Sequence, residues 1–596
     1  MDPTSPDPAA LRAKYRFDPA TLRAKYREER DRRLRPDGAA QYTRAAGEFG
    51  YYATDPYTPR TERPARHDRV EAVVIGAGFG GLLTGARLRE AGLDDIRLID
   101  EAGDVGGTWY WNRYPGIHCD IESSVYLPLL EEVGTEPTWR YSPGEEIRRH
   151  AMAVARHYGL YDDTMFHTRV TELRWHDADD EWQVRTDRGD DFRARYVVVS
   201  SGTLTQPKLP GIPGIETFRG HTFHTSRWDH DYTGDKLEKL ADKKIGVVGT
   251  GATGIQVVPH VAAAAEHLYV FQRTPSSVDE RDNRPLEPGW TKSLPPGWQQ
   301  ERMDNFLTIV TGGQVSQDLV GDGWTATAAL QRTFLSGSRT ELTDEELELA
   351  DFATMNRIRA RVDAIVTDPA VASLLKPWYR YMCKRPAFSD HYLPTFNRPD
   401  VTLVDTADTG GITAMTPHAV VVGDTEYEVD CVIFATGFEV GVSGIVSGTL
   451  PVHGRDGVPL LQSWAHGPRT LHGFYSHGYP NLFHLGALQN ANAVNFVHIL
   501  AEQAVHIGAV VAEARKRGVR TIEPTAAAQD AWVATIRANA RDTFTFQSEC
   551  TPGYYNGEGK PRPISNSYGP GPVAFHELLR SWRTGDGFEE VLADAS

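Results

Sequence analysis

Two stretches of this chain fit little other than a strand, a tight glycine turn and a helix. The first, RVEAVVIGAGFGGLLTGARLREAG, begins at Arg69, and the second, KKIGVVGTGATGIQVVPHVAAAAEH, begins at Lys243. Each opens with a short apolar run, breaks at Gly-x-Gly-x-x-Gly and resumes with a helical pattern. The glycines are Gly76, Gly78 and Gly81 in the first unit and Gly249, Gly251 and Gly254 in the second, with Thr250 inside the second turn. The arrangement lets backbone come close to a pyrophosphate lying at the helix N-terminus. A chain that carries this unit twice is committed to parallel sheets. The predicted fold is α/β, with two Rossmann-like dinucleotide-binding domains.

The strand that follows each turn separates the two ligands. IRLID ends at Asp100, where a carboxylate accepts hydrogen bonds from a ribose diol. LYVFQRTP ends at Arg273 instead. An arginine there suits the extra 2'-phosphate of NADP, which an acid would repel. One ribose-type and one phosphate-type site imply FAD at the first turn and NADPH at the second.

Two more apolar strands, RYVVVSSGT and YEVDCVIFATGF, end in glycine turns, and the stretch between them and after residue 280 is rich in helix formers. Thr343 and Glu346 are spaced as a capping box before LELADFATMNRIRARVDAIV. The expected organisation is therefore interleaved. An N-terminal extension spans 1–65, the FAD-binding domain 66–205 and 431–596, the NADP-binding domain 206–279 and 381–430, and a helical insertion 280–380. Within the extension DPAALRAKYR at 7–16 is echoed by DPATLRAKYR at 18–27, with Asp7 and Asp18 as helix caps and Pro8 and Pro19 at the first helical position. It reads as a charged surface extension in preference to a docking arm.

Composition excludes several classes of function. A net charge of −17 argues against a nucleic-acid partner, which needs a clustered positive face. No run of about 18 apolar residues is present, so no membrane span is expected, and the first residues lack the apolar core of a secretory signal, which points to the cytoplasm. Cys119, Cys383, Cys431 and Cys550 lie far apart without a C-x-x-C, which argues against a disulfide framework, a zinc site and a redox-active cysteine pair. No metal-ligand spacing is evident among the His and carboxylate residues.

Between the two glycine turns lies FRGHTFHTSRWD, residues 218–229, with Phe218, Gly220, His224, Trp228 and Asp229 at fixed spacing. This matches the fingerprint F-x-G-x-x-x-H-x-x-x-W-P/D, and GGTWYWNRYPGIHCD, from Gly106 to Asp120, matches a second signature. On these motifs the chain, from about residue 65 to 590, resembles the type I Baeyer-Villiger monooxygenases. The resemblance implies FAD, NADPH, O2 and a small-molecule cyclic ketone, with lactone as product. It makes His224 part of a loop that couples the two domains, not a base. It places Thr108, Trp109, Trp111, His118, Asp120 and Tyr126 around the flavin. Lys384 joins Arg273 and Thr274 on the 2'-phosphate, and Arg385 projects over the flavin with Asp120 beside it. A fixed guanidinium supplies charge and hydrogen bonds to anionic oxygen and to the tetrahedral adduct of a ketone. NADP that stays bound would keep water from that site.

Within the family, SECTPGYYNGEGKPR, with Cys550, Thr551, Tyr554 and Tyr555, resembles the branch that acts on large or polycyclic ketones, including actinobacterial enzymes of pentalenolactone biosynthesis. LGALQNANAVNF departs from the start usual in small-ketone members, and Asn495 and Phe496 are placed at the substrate pocket. The alternatives are an N- or S-oxygenating flavin monooxygenase, which Trp228 and Arg385 oppose, and a non-catalytic flavin/NADP redox-binding protein.

Overall fold

In a computed structural model the described residues are 18–335, 343–439, 445, 448–540, 543–561 and 567–592. The first copy of the tandem repeat, with Asp7 and Pro8, lies outside them. The second copy forms a helix, Pro19–Asp31, capped by the Asp18 carboxylate and started by Pro19.

The first glycine unit builds the centre of a large sheet. Strand Arg69–Ile75 lies parallel to Ile96–Ile99 on one side and to Asp191–Val199 on the other. The sheet continues through Glu181–Thr186 and Val170–His176 to Val452–His453, and Leu482–His484 pairs in parallel with Asp191–Val199. Helix Phe79–Glu90 follows the turn and is buried along most of its surface. It packs against Phe496–Arg517, a 22-residue helix long and apolar enough to cross a membrane by length and composition alone. Its most apolar window is 56% buried, as in the core helix of a folded domain.

The second unit builds a five-stranded parallel sheet in the order Val401–Asp405, His267–Gln272, Lys244–Val248, Cys431–Phe434, His221–His224. One expected boundary is corrected here. Cys431–Phe434 was assigned to the start of the returning FAD-binding segment, yet it hydrogen-bonds between two strands of the second sheet. All four of its residues are buried, which explains the unbroken apolar run. The chain is α/β with two Rossmann-like units interleaved in sequence.

The stretch from 280 to 380 carries helices Trp298–Val310, Gly323–Ala326, Ala328–Leu335, Asp344–Ile365 and Pro369–Leu375. Thr343 and Glu346 form the capping box their spacing predicts.

Two further expectations are corrected. Cys383 and Cys550 form a disulfide with Cα atoms 5.1 Å apart. A pairing across 167 residues leaves no local spacing to recognise. The N-terminal extension is also more than a charged surface. Tyr26 and Tyr52 are buried, Tyr26 OH accepts a hydrogen bond from Arg359, and Tyr42–Arg44 pairs antiparallel with Lys208–Pro210.

Candidate functional site

The first glycine turn and the GGTW segment interlock. Gly106 N donates to Ala77 O at 3.0 Å, and a Cβ on Gly107 would stand 2.8 Å from the Gly78 Cα. A Cβ on Gly76 would overlap the Ser200 carbonyl, and one on Gly81 the Gly76 carbonyl. Gly78 is the N-cap of helix Phe79–Glu90 and has no side chain to satisfy the first-turn N–H groups. A shallow backbone cradle over open helix donors fits a pyrophosphate. Asp100 closes the unit, its carboxylate accepting Ala77 N at 2.6 Å and Ala102 N at 2.8 Å. Burial raises its pKa, and these two N–H groups work against that.

From Gly107 the chain enters the short helix Thr108–Trp111. Thr108 is exposed at its start. Trp109 is buried, and its Nε1 donates to Tyr126 OH at 2.9 Å. Trp111 lies under the Arg227 guanidinium at 3.6 Å, which ties it to the fingerprint loop. The next residues cross to the second unit. Tyr114 OH donates to Gln256 Oε1 at 2.8 Å, Gln256 Nε2 donates to His118 O at 2.9 Å, and a Cβ on Gly116 would collide with His260. Gln256 and His260 lie on helix Ala252–Ala264, which the second glycine turn opens. The His118 ring pairs with Gly116 O, and burial lowers its pKa.

In the second turn Gly249 sits at φ +108°, a Cβ on Gly254 would overlap the Gly249 carbonyl, and Gly251, the N-cap, faces open space. Thr250 Oγ1 donates to Thr274 O at 3.0 Å, and Ser276 Oγ donates to Thr250 O at 2.6 Å. Thr274 Oγ1 is buried without a partner. An orphaned hydroxyl beside an open cradle fits a nucleotide phosphate.

The Lys384–Arg385 dipeptide divides its charges. Lys384 is extended, φ −132° and ψ 157°, so successive side chains point to opposite sides. Arg385 meets Asp120 in a bidentate pair, Nε–Oδ2 2.7 Å and Nη2–Oδ1 2.9 Å. Burial acts to raise the Asp120 pKa, but the guanidinium overrides it and holds the carboxyl below its ordinary range. Lys384 lies instead among Arg273, Lys208, Arg33 and Glu558, and burial followed by repulsion from Arg273 lowers its pKa to about 8. Arg273 is already engaged: Nη2 to Glu558 Oε2 at 2.8 Å and Nη1 to Gln41 Oε1 at 2.7 Å.

The fingerprint residues are explained by packing. A Cβ on Gly220 would meet the Phe218 ring and Asp430 O. His224 is fully buried, its Nδ1 2.8 Å from Ser226 Oγ, and burial pushes its pKa down to about 3, so it is a neutral structural group. Trp228 Nε1 donates to Thr233 Oγ1 at 3.0 Å, and Asp229 caps helix His230–Thr233.

Several site residues gave no sequence signal. Trp324 comes from the helical insertion, donates Nε1 to Asp120 O at 2.9 Å and lies 4.9 Å from the Arg385 guanidinium. Gln41 and Glu558 arrive from opposite ends of the chain. Asn495, placed at the pocket by sequence, is a buried helix cap whose Nδ2 donates to Val125 O at 2.6 Å. His498, Glu502 and His576 bring one potential ligand atom each within 4.8 Å of one another.

Two dinucleotide folds with a half-buried arginine–carboxylate pair beside them define a flavoprotein oxidoreductase. Residues 73–313 match the pyridine nucleotide-disulphide oxidoreductase family. A Baeyer-Villiger monooxygenase of Streptomyces coelicolor is 57% identical over 98% of this chain and 97% of its own. Neopentalenolactone D synthase of Streptomyces avermitilis is 50% identical over 98% and 99%. The polycyclic ketone monooxygenase of Thermothelomyces thermophila superposes with a TM-score of 0.90 at 39% identity, over 96% of this chain and 98% of that one. The chain belongs to the Baeyer-Villiger monooxygenases.

Proposed function

We propose that the enzyme inserts one atom of O2 beside the carbonyl of a bulky cyclic ketone, and that its natural substrate is a tricyclic sesquiterpenoid cyclopentanone that becomes a six-membered lactone. The overall change is ketone + O2 + NADPH + H+ to lactone + NADP+ + H2O. FAD and NADPH are its cofactors. The flavin, once reduced, supplies the activation of O2. The substrate reading is supported by the likeness to neopentalenolactone D synthase and to a monooxygenase of polycyclic ketones.

The observation that carries the chemistry is the Arg385–Asp120 pair. Asp120 takes Nε and Nη2, which fixes the guanidinium plane and leaves Nη1 without a hydrogen bond to any described residue. A half-buried cation held in this way stabilises negative charge that develops on oxygen during attack on the carbonyl. Asp120 is in turn oriented by its own backbone contact with Trp324. Gly76, Gly78, Gly81, Asp100, Thr108, Trp109, Trp111, His118 and Tyr126 hold the flavin in this reading. Gly249, Thr250, Gly251, Gly254, Arg273, Thr274 and Lys384 hold the nicotinamide nucleotide.

Replacing Arg385 by Ala is expected to leave flavin reduction by NADPH intact and to lower lactone formation by about 10²- to 10³-fold, the usual loss for one such donor. Stopped-flow flavin reduction and product mass spectrometry check this, and normal lactone yield moves the role elsewhere. For the substrate, kcat/KM is expected to favour a tricyclic cyclopentanone over cyclohexanone. A ten-fold preference for cyclohexanone defeats the terpenoid assignment and leaves the monooxygenase standing.

A further inference from the structure

The carboxylate of Glu558 sits where an anion is most strongly attracted. It accepts from Arg273 at 2.8 Å and from Tyr42 OH at 3.1 Å, and Lys208 Nζ lies 3.9 Å away. Its side chain is only 5% exposed. Lys384 adds to the same positive field and donates no hydrogen bond to a described residue. One carboxylate therefore faces three cations.

The backbone that presents Glu558 is under strain. Its φ is +59°, in the left-handed region that disfavours side chains, and Gly557 and Gly559 on either side are also left-handed. Strained positions persist where something else holds them. Here the ion pair with Arg273 and a tight turn do so: Glu558 N donates to Gly553 O at 2.9 Å, and Gly553 N and Gly559 N both donate to Asn556 Oδ1.

We propose that Glu558 is an internal occupant of the 2'-phosphate site, displaced when NADPH binds, so that nucleotide occupancy is coupled to the turn of residues 553–559. The proposal rests on the reading that Arg273 and Lys384 receive that phosphate. A phosphate monoester carries up to twice the charge of a carboxylate and has three acceptor oxygens, so it outcompetes Glu558 for the same cations. NADH lacks that group and leaves Glu558 in place. The turn cannot leave altogether, because the disulfide joins Cys550 to Cys383, the residue before Lys384. Tyr554 and Tyr555 ride on the same turn, within electrostatic range of Arg385. Displacing Glu558 thus repositions the aromatic side chains next to the proposed reaction centre, and it happens only with the phosphorylated nucleotide.

The test uses the full-length FAD-loaded protein and two probes, 2',5'-ADP and 5'-AMP. Glu558→Gln removes the competing charge and keeps the shape, and is expected to tighten 2',5'-ADP at least five-fold by calorimetry while 5'-AMP changes less than two-fold. In the unmodified enzyme, amide hydrogen exchange across 550–560 is expected to rise with saturating 2',5'-ADP and not with 5'-AMP. This second arm does not depend on a variant that folds. Unchanged or weaker 2',5'-ADP binding by Glu558→Gln, or exchange that stays flat or falls, overturns the proposal. The underlying reading is tested separately with Arg273→Ala. If that variant still prefers 2',5'-ADP over 5'-AMP as the parent does, the phosphate site lies elsewhere and the proposal falls with it. If the preference is lost but Glu558→Gln shows no tightening, the site stands and only the displacement is wrong.

Discussion

The two glycine turns share one sequence pattern and are finished in different ways. The first is closed by its own surroundings: Asp100 is fixed by the N–H groups of Ala77 and Ala102, and Gly107 packs on Gly78. The second is closed by visitors. Its terminal Arg273 is held by Gln41 from the N-terminal extension and Glu558 from near the C-terminus, and its Lys384 comes from beyond the helical insertion. A site built from neighbours in sequence is rigid once its strands pair. A site assembled from remote segments exchanges partners more readily, which suits a nucleotide that is replaced once in each catalytic cycle, whereas the flavin stays.

Substitutions at the second glycine of each turn sharpen this contrast most. A Cβ on Gly78 stands 3.4 Å from the Gly107 Cα, so Gly78→Val presses on packed backbone, and loss of flavin is expected. A Cβ on Gly251 meets nothing within 4 Å, so Gly251→Val points into the open cradle. It is expected to fold and keep its flavin while NADPH binding weakens by about 100-fold, roughly 2.7 kcal/mol. Flavin absorbance per mole of soluble protein and NADPH titration read both. Full flavin content in Gly78→Val, or native NADPH affinity in Gly251→Val, breaks the comparison.

How far each turn could be read from sequence follows the same division. The strands, the glycines and Asp100 were legible because their constraints lie within about thirty residues and repeat a periodic pattern. Arg385 and Asp120 were legible only through family motifs, since a Lys-Arg-Pro run has no pattern of its own. Trp324, Gln41 and Glu558 were not legible at all, because each reaches the site across more than two hundred residues and nothing local marks its destination. The disulfide failed for the same reason. Cys431–Phe434 was recognised as a buried strand but given to the wrong sheet, since two parallel sheets impose the same apolar pattern and only pairing tells them apart.

Acidity gives the next largest effect. Lys384, with a pKa lowered to about 8, faces Arg273, Arg33 and Lys208, which repel its charge, and Glu558, which favours it. Its ammonium is present below pH 8 and lost above, while the phosphate of the nucleotide is already ionised from pH 7 upward. NADPH affinity is therefore expected to hold below pH 8 and to fall by up to about ten-fold by pH 9. Fold stability moves the other way. The unfolded chain binds this proton up to the ordinary lysine range, so the Lys384 contribution to stability grows as pH rises from about 8 to 10. The first turn has no such group, and flavin retention is expected to stay flat across the same range. Lys384→Arg is expected to abolish the alkaline loss of NADPH affinity; if the loss persists in that variant, another group titrates.

The smallest effect tests whether the N-terminal extension belongs to the second site. The Gln41 backbone is anchored independently of its side chain, since Gly211 N donates to Gln41 O at 2.8 Å and Tyr42–Arg44 pairs with Lys208–Pro210. Gln41→Ala therefore removes little beyond the amide that accepts from Arg273 and donates to Gly38 O. A hydrogen bond to a charged group is worth about 1.5–3 kcal/mol when its loss leaves a buried donor unmet. Arg273 keeps Glu558, or the phosphate that replaces it, so most of its charge remains satisfied and the loss is smaller. Gln41→Ala is expected to raise the KM for NADPH about three-fold, with flavin content unchanged and the melting temperature within a few degrees of the parent. An equal loss of affinity for NADH would mean that Gln41 shapes the turn as a whole and not its phosphate end. A loss of flavin would join the extension to the first turn, and the division between a self-closed site and a visited one would no longer hold.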